Sequence, residues 1–185
     1  CGEEARRKLQ SLESRDAELE RINAALAKLD IELATAGKEL TAQRRKVIPK
    51  LCKAVEKQLA DLGFKQSRFD VALTPAATMT KTGMDSIEFQ FAPNPGEPPR
   101  PLRSIASSGE MARVMLALKT VLAAQDEVPV LIFDEVDANV GGETAHAVGD
   151  KMRQIGARRQ VLCITHLAPV AAAAETHYVV AKEIK

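Results

Sequence analysis

The stretch Val130-Leu131-Ile132-Phe133-Asp134-Glu135 joins four large apolar residues directly to two carboxylates. A continuous apolar run of this length is typical of a strand in a parallel sheet with helices on both faces. Asp134 and Glu135 then lie at the carboxyl end of the strand, where open α/β sheets bind ligands. An acidic pair there suits a Mg²⁺–nucleotide site, in which one carboxylate serves the metal and the other orients or deprotonates water. The alternative is a strand that ends in solvated acids, and the hexamer alone does not decide between them.

The composition is that of an ordinary globular protein. With 185 residues, 45% of them hydrophobic and 28% charged, the chain is long enough for one core and an appendage. A formal net charge of +1 excludes a global field that attracts nucleic acid, so any DNA contact must come from a local patch. The three cysteines (Cys1, Cys52, Cys163) lack metal-ligand spacing, which favours reduced thiols in the cytoplasm. No apolar stretch approaches the roughly 20 residues that span a bilayer, so no membrane contact is expected.

The N-terminal quarter has the repeat of a coiled coil. From Glu3 to Val47 there is no proline, and aliphatic residues recur every seven positions, with a second row three residues further on. The two rows are Leu12, Leu19, Leu26, Leu33, Leu40 and Val47, and Ile22, Leu29 and Ala36. This pattern predicts a coiled-coil strand over residues 1–48, and an amphipathic helix packed on a globular core is the alternative. Such a helix needs a partner: a second copy, another chain or a segment outside this sequence.

A second helical segment follows the repeat. Pro49 predicts a kink or break, after which a connecting helix over residues 49–63 stops at Gly63. Basic residues are concentrated around this junction, with Glu56 as the single acid between Arg44 and Lys57. They are a candidate DNA contact, although most charge runs are solvated faces. The basic residues are Arg44, Arg45, Lys46, Lys50, Lys53 and Lys57.

The middle of the chain reads as scaffold. Residues 68–73 and 85–91 alternate polar and apolar side chains, which predicts two antiparallel strands with one wet face. Residues 92–101 contain five prolines, so an exposed loop is expected.

A loop rich in small residues, 104–110, precedes a helix predicted for residues 111–124. Free backbone N–H groups and the helix dipole make such a helix start an anion site. The alternative is that a serine caps the helix and nothing more.

After the acidic strand, the sequence predicts a loop over 136–142, a helix over 143–155 and a second buried strand over 160–165. His166 follows this strand at the same sheet edge as Asp134 and Glu135, where it could donate a hydrogen bond to a phosphate. A short helix over 168–174 and a last strand over 177–181 complete the prediction.

These stretches, in this order, resemble the ATPase head of the ABC and SMC-like superfamily. The matching motifs are a signature loop at 106–110, a Walker B strand ending in Asp134 and Glu135, a D-loop around Asp137 and a switch histidine at His166. The resemblance extends from the coiled coil to the end of the sequence. Two departures are clear: Ser108 occupies the first of two signature glycine positions, and no G-x-x-x-x-G-K-[ST] motif or glutamine loop is present.

The resemblance implies an α/β fold, with residues 64–185 forming the C-terminal lobe of an ABC/SMC-type P-loop ATPase head behind a coiled coil. It implies ATP and Mg²⁺ as ligands, with Asp134 in the metal's shell, Glu135 and His166 as catalytic residues and Asp137 joining two sites. The signature residues Ser107, Ser108, Gly109 and Glu110 are then expected to contact nucleotide.

At the level of function, the resemblance implies an SMC-like ATPase of the cytoplasm and nucleoid that acts at DNA double-strand breaks. It hydrolyses ATP between two engaged heads of a homodimer, which also associates through its coiled coil. The lobe alone is expected to be inactive because its Walker A lobe is missing. The alternative is a non-catalytic module for dimerisation and DNA contact.

Overall fold

A computed structural model describes residues 2–181, apart from the side chains of residue 5 and residues 8–13, so the surroundings of Leu12 lie outside the described residues. The elements in chain order are α1 (Gly2–Asp61), β1 (Arg68–Thr80), β2 (Gly83–Ala92), β3 (Arg100–Pro101), a 3-10 turn (Leu102–Ser104), α2 (Ser108–Val121), β4 (Val130–Phe133), α3 (Gly142–Gly156), β5 (Gln160–Cys163) and α4 (Ala168–Ala171). No helix in the described part of the chain combines the length and the apolar character needed to cross a bilayer.

Helix α1 continues through Pro49 as one element, so of the predicted kink or break the break is absent, and the predicted connecting helix is the end of α1. Proline removes one backbone donor, which weakens a helix without necessarily ending it. Val55, Leu59 and Leu62 are fully buried on this part of the chain, and their burial holds the helix together beyond the proline. The helix ends where predicted, because Gly63 takes a φ of 93° that favours glycine.

The heptad positions of α1 are exposed along the part of the helix whose side chains are described. The larger side chains of the two rows, from Leu19 to Val47, are between 37% and 58% exposed. A coiled-coil partner for this surface stays a prediction.

The chain divides into two compact units. One unit comprises α1 up to Arg45 together with Thr74–Ser86, the ends of β1 and β2 and the turn between them. Within it, Arg44 donates to Asp85 at 2.8 Å and to the Thr82 carbonyl at 2.7 Å, while the Thr41 hydroxyl donates to the Asp85 carboxylate at 2.8 Å. These hydrogen bonds therefore connect α1 to the ends of β1 and β2 within this unit. The predicted domain boundary at residue 64 did not anticipate them, because it assigned the helix and the strands to different domains.

The middle strands are longer than predicted. Strands β1 and β2 are neighbours in a three-stranded sheet, and β3 pairs antiparallel with β2 at Gln90–Pro101 and Phe91–Arg100. The predicted loop over 92–101 is therefore shorter, because Ala92 is buried at the end of β2 and residues 100–101 extend the sheet.

The other unit comprises Lys46–Leu73 and the chain from Ile87 onward, and it contains the main core. Apolar side chains from α1, β1, β2, α2, β4, α3 and α4 meet in one cluster. Its largest fully buried members are Phe69, Phe91, Leu59, Leu62, Leu116, Ile155, Val55, Val114, Val136 and Val148.

Strands β4 and β5 form a two-stranded parallel sheet in which Leu131 pairs with Val161 and Phe133 with Cys163. In the part of the chain that the structure describes, only one face is covered, because Leu131 and Phe133 are buried whereas Ile132 is 68% and Ile164 is 64% exposed. The prediction that both faces are buried is therefore wrong in this chain. Exposure alternates along β4, but hydrophobicity does not, because the outward side chains are as apolar as the inward ones.

The prediction of a last strand over residues 177–181 is also wrong. These residues have no regular structure, and Val180 is 98% exposed. Apolar alternation predicts a strand only where a neighbouring strand accepts its hydrogen bonds, and none is present here among the described residues.

Candidate active site

The N-terminus of α2 begins earlier than predicted. Ser107 is the N-cap, and its hydroxyl accepts a hydrogen bond from the Glu110 N–H at 3.3 Å. Ser108, Gly109 and Glu110 thus form the first helical turn rather than a loop. In the described part of the chain, the N–H groups of Ser108 and Gly109 have no hydrogen-bond acceptor. The cap and the anion site are therefore compatible, because the serine satisfies one donor and leaves two for a ligand.

Gly109 lets this helix start approach the loop that follows β4. A Cβ atom at this position would lie 2.9 Å from the Cβ of Ala138 and 3.1 Å from the Glu135 carbonyl oxygen. Both distances are too short for an unstrained contact. Glycine is therefore needed at 109 for packing within this chain.

Asp134 and Glu135 stand at the carboxyl end of β4 with exposed side chains, as the sequence predicts. Glu135 has a φ of 56°, a left-handed conformation that costs a non-glycine residue about 1–3 kcal/mol. The Ser108 hydroxyl donates a hydrogen bond to its Oε2. The Asp134 carboxylate has no hydrogen-bond or ion-pair partner among the described residues.

Asp137 is buried beside the segment that carries His166. Its side chain is only 1% exposed, and its Oδ2 accepts hydrogen bonds from the Thr165 hydroxyl and, at 3.3 Å, from the His166 backbone N–H. The same oxygen lies 3.7 Å from Nδ1 of His166, whose ring is 73% exposed. Asp137 thus orients the segment that carries the histidine, and its expected role in joining two sites stays a prediction.

Sequence reasoning missed Arg113, a buried cation that supports this loop. Its Nη1 donates to the Ala138 carbonyl at 2.9 Å, and its guanidinium lies 5.1 Å from the centre of the Phe64 ring. Burial lowers the pKa of Arg113 from its usual value. The available signal was an arginine flanked by apolar residues, between Ala112 and Val114, in the first half of the helix.

The predicted residues meet around one cavity of about 480 Å³. It is lined by Ser107, Ser108, Gly109, Asp134, Glu135, Asp137, Ala138, Asn139, Ile164, Thr165 and His166. Glu110 does not line it, and its expected contact with nucleotide stays a prediction. The lining contains three carboxylates and no lysine or arginine. The carboxylates also affect a neighbouring thiol. Burial, and to a smaller extent the negative charges of Asp137 and Asp134, raise the pKa of Cys163 to about 11.

No set of three or more histidine, cysteine, aspartate or glutamate side chains in the described residues is placed to hold a metal ion. The chain thus supplies single carboxylates at this edge rather than a complete metal cage.

Comparison with solved structures defines the class. The chain superposes on the Smc head domain with a coiled coil and joint from Pyrococcus yayanosii with a TM-score of 0.62 and 20% identity, covering 91% of this chain and 31% of that one. A second Smc head with an extended coiled coil, from Pyrococcus furiosus, gives 0.59 at 18% identity and covers 86% and 39%. The fold is thus that of the C-terminal lobe of an SMC/ABC-type ATPase head with part of its coiled coil.

Sequence comparison then narrows the class. The chain is 41% identical to the DNA repair protein RecN of Treponema pallidum and 37% identical to that of Deinococcus radiodurans, over 97% and 100% of its own length. RecN of Bacillus subtilis is 33% identical over 96% of the chain. No family model matches this chain. The chain spans about a third of the length of these relatives, and over that part it is similar to bacterial RecN, consistent with the C-terminal half of that protein.

Proposed function

We propose that this chain is the signature-bearing lobe of an SMC-like ATPase that acts in DNA double-strand break repair and hydrolyses ATP between two engaged heads. The observation that carries the proposal is the convergence of three separate segments on one cavity: the start of α2, the end of β4 and the residue after β5. Anion donors and carboxylates on neighbouring elements are what phosphoryl transfer needs, since its catalysis is positioning and charge stabilisation. The similarity to RecN supports the repair context.

Each side chain has a role that follows from its position. Ser107 and the free N–H of Gly109 would contact the γ-phosphate held by the opposite head, together with the backbone N–H of Ser108. The Glu110 N–H already donates to the Ser107 hydroxyl, so Glu110 would contribute by completing this helix start. Glu135 would polarise the attacking water. His166 would contact the γ-phosphate in its own head. Asp137 would join the two sites, and its carboxylate would also orient that histidine.

Asp134 is the residue that would hold Mg²⁺. Its carboxylate is exposed and unpartnered among the described residues, and no cationic side chain lines the cavity. Mg²⁺ is bound at nucleotide sites by one or two carboxylates with phosphate oxygens and waters, so the absence of a complete protein cage fits this ion. When bound, it would neutralise phosphate charge.

The sequence has no phosphate-cradling G-x-x-x-x-G-K-[ST] loop. We therefore expect ATP turnover only when the chain is joined to a lobe that supplies one, and no turnover from this chain alone.

The test uses the complete protein with Glu135→Gln and Asp134→Ala. Glutamine keeps the size of glutamate but cannot take the proton of the water, so Glu135→Gln should abolish hydrolysis and keep ATP binding. Asp134→Ala should instead weaken nucleotide affinity, because phosphate charge loses its metal-organising carboxylate. ATP binding, turnover and dimerisation are measured for wild type and both variants. Wild-type turnover in Glu135→Gln would remove Glu135 as the base and contradict the proposal.

A second candidate function is a module for dimerisation and DNA contact without turnover. The exposed heptad rows of α1 favour it, as do four exposed lysines spaced on one helix face: Lys46, Lys50, Lys53 and Lys57. Arg44 does not join this group, because it pairs with Asp85. Such a module would bind DNA at the nucleoid with a strong salt dependence. Nucleotide binding by the chain with and without the lobe that carries a P-loop separates the two functions.

A further inference from the structure

The contact between Ser108 and Glu135 joins the first turn of α2 to the end of β4. The Ser108 hydroxyl donates to Oε2 of Glu135, across 27 positions of sequence. Glu135 has no other side-chain hydrogen bond or ion pair among the described residues. The orientation of this carboxylate thus depends on one hydroxyl.

The two signature positions differ in the space that surrounds them. At Gly109 a Cβ would collide with the loop after β4, whereas Ser108 is exposed and its side chain lies in the cavity beside the carboxylate. A serine is therefore accommodated at 108 and not at 109. A glycine at 108 would leave the helix start in place and remove the one side-chain donor that Glu135 has among the described residues.

We propose that Ser108 is a positioning residue that holds the Glu135 carboxylate in its working orientation. This rests on the proposed function, in which Glu135 acts on the attacking water. With Oε2 engaged by the hydroxyl, Oε1 remains available to accept from water, and the side chain loses rotational freedom before the reaction rather than during it. The left-handed backbone conformation of Glu135 sets the direction of its Cα–Cβ bond, and the hydrogen bond from Ser108 sets the position of its carboxylate.

The test is made in the complete protein with Ser108→Ala, Ser108→Gly and Ser108→Thr. Alanine and glycine should lower kcat about 10–100-fold, the effect of losing one hydrogen bond to a charged group, and leave KM for ATP unchanged. Threonine keeps the hydroxyl and should restore kcat to near the wild-type value. Ser104→Ala is the matched control, because Ser104 is an exposed serine outside the cavity, and it should change nothing.

A second arm separates positioning from direct contact with nucleotide. In a Glu135→Gln background, adding Ser108→Ala should leave ATP binding and ATP-dependent dimerisation unchanged, because no base remains to be positioned. Weaker binding or dimerisation in the double variant would assign the Ser108 side chain to the nucleotide and overturn the proposal. Unchanged kcat in Ser108→Ala, or equal losses in alanine and threonine variants, would overturn it as well. Failure of the proposed function is seen separately, as turnover that survives Glu135→Gln itself.

Discussion

Replacing Gly109 by alanine tests whether the start of α2 and the loop after β4 are packed as closely as the structure shows. The added Cβ would lie 2.9 Å from the Cβ of Ala138 and 3.1 Å from the carbonyl oxygen of Glu135. Neither atom is the end of a flexible side chain, so relief requires a backbone shift. Overpacking of this kind lowers the free energy of unfolding by about 1–3 kcal/mol.

Urea unfolding of the chain measures this cost. With a slope of about 2 kcal/mol per M, the midpoint should fall by roughly 0.5–1.5 M. Gly149→Ala should behave similarly, because its Cβ would lie 2.9 Å from that of Ala173. Gly156→Ala is the matched control: its Cβ meets no atom within 4 Å, and alanine should leave stability equal or raise it by up to about 1 kcal/mol. Equal midpoints for Gly109→Ala and Gly156→Ala would refute the close approach.

Two further predictions concern the unit that contains Arg44. The hydrogen bond from Arg44 lowers the pKa of Asp85 from its usual value, so the stabilisation is present above the unfolded pKa of about 4 and is lost as the pH falls through the lower folded pKa. Urea unfolding from pH 3 to 7 should therefore show Asp85→Asn less stable than wild type near neutrality, with the difference shrinking in acid; a constant difference would contradict this. The heptad rows should drive self-association of α1, because each buried leucine contributes about 1.5–3 kcal/mol. Leu26→Lys should abolish association in sedimentation equilibrium and Ala24→Lys on the opposite face should not, whereas a wild-type monomer at high concentration would contradict the idea.

The position of the site was predictable from sequence because it depends on a general rule of topology. Parallel strands end at a shared edge, so Phe133-Asp134-Glu135 and Thr165-His166 had to lie together once both runs were assigned as strands. The sequence also indicated a serine cap and a glycine near the start of α2, because helix caps depend on neighbouring residues alone.

Other features depend on surroundings that a local pattern does not contain. An apolar residue such as Ile132 is apolar whether or not something covers it, so the run Val130–Phe133 could not reveal that one face is open. The hydrogen bonds of Asp137 could not be predicted for a related reason: its partners Thr165 and His166 are distant in sequence. The effect of Pro49 was overestimated because burial further along α1 outweighs the lost donor.

The open side of the β4–β5 sheet has a practical consequence for handling the protein. Val130, Ile132, Leu162 and Ile164 display branched apolar side chains in two adjacent rows, and a two-stranded sheet consists of edge strands only. Surfaces of this kind recruit further strands from neighbouring molecules, which is how ordered aggregates begin. We therefore expect this small sheet, rather than the near-neutral net charge, to limit the concentration at which the chain remains dispersed. A charged residue at position 132 should extend that range without disturbing the buried side chains of Leu131 and Phe133.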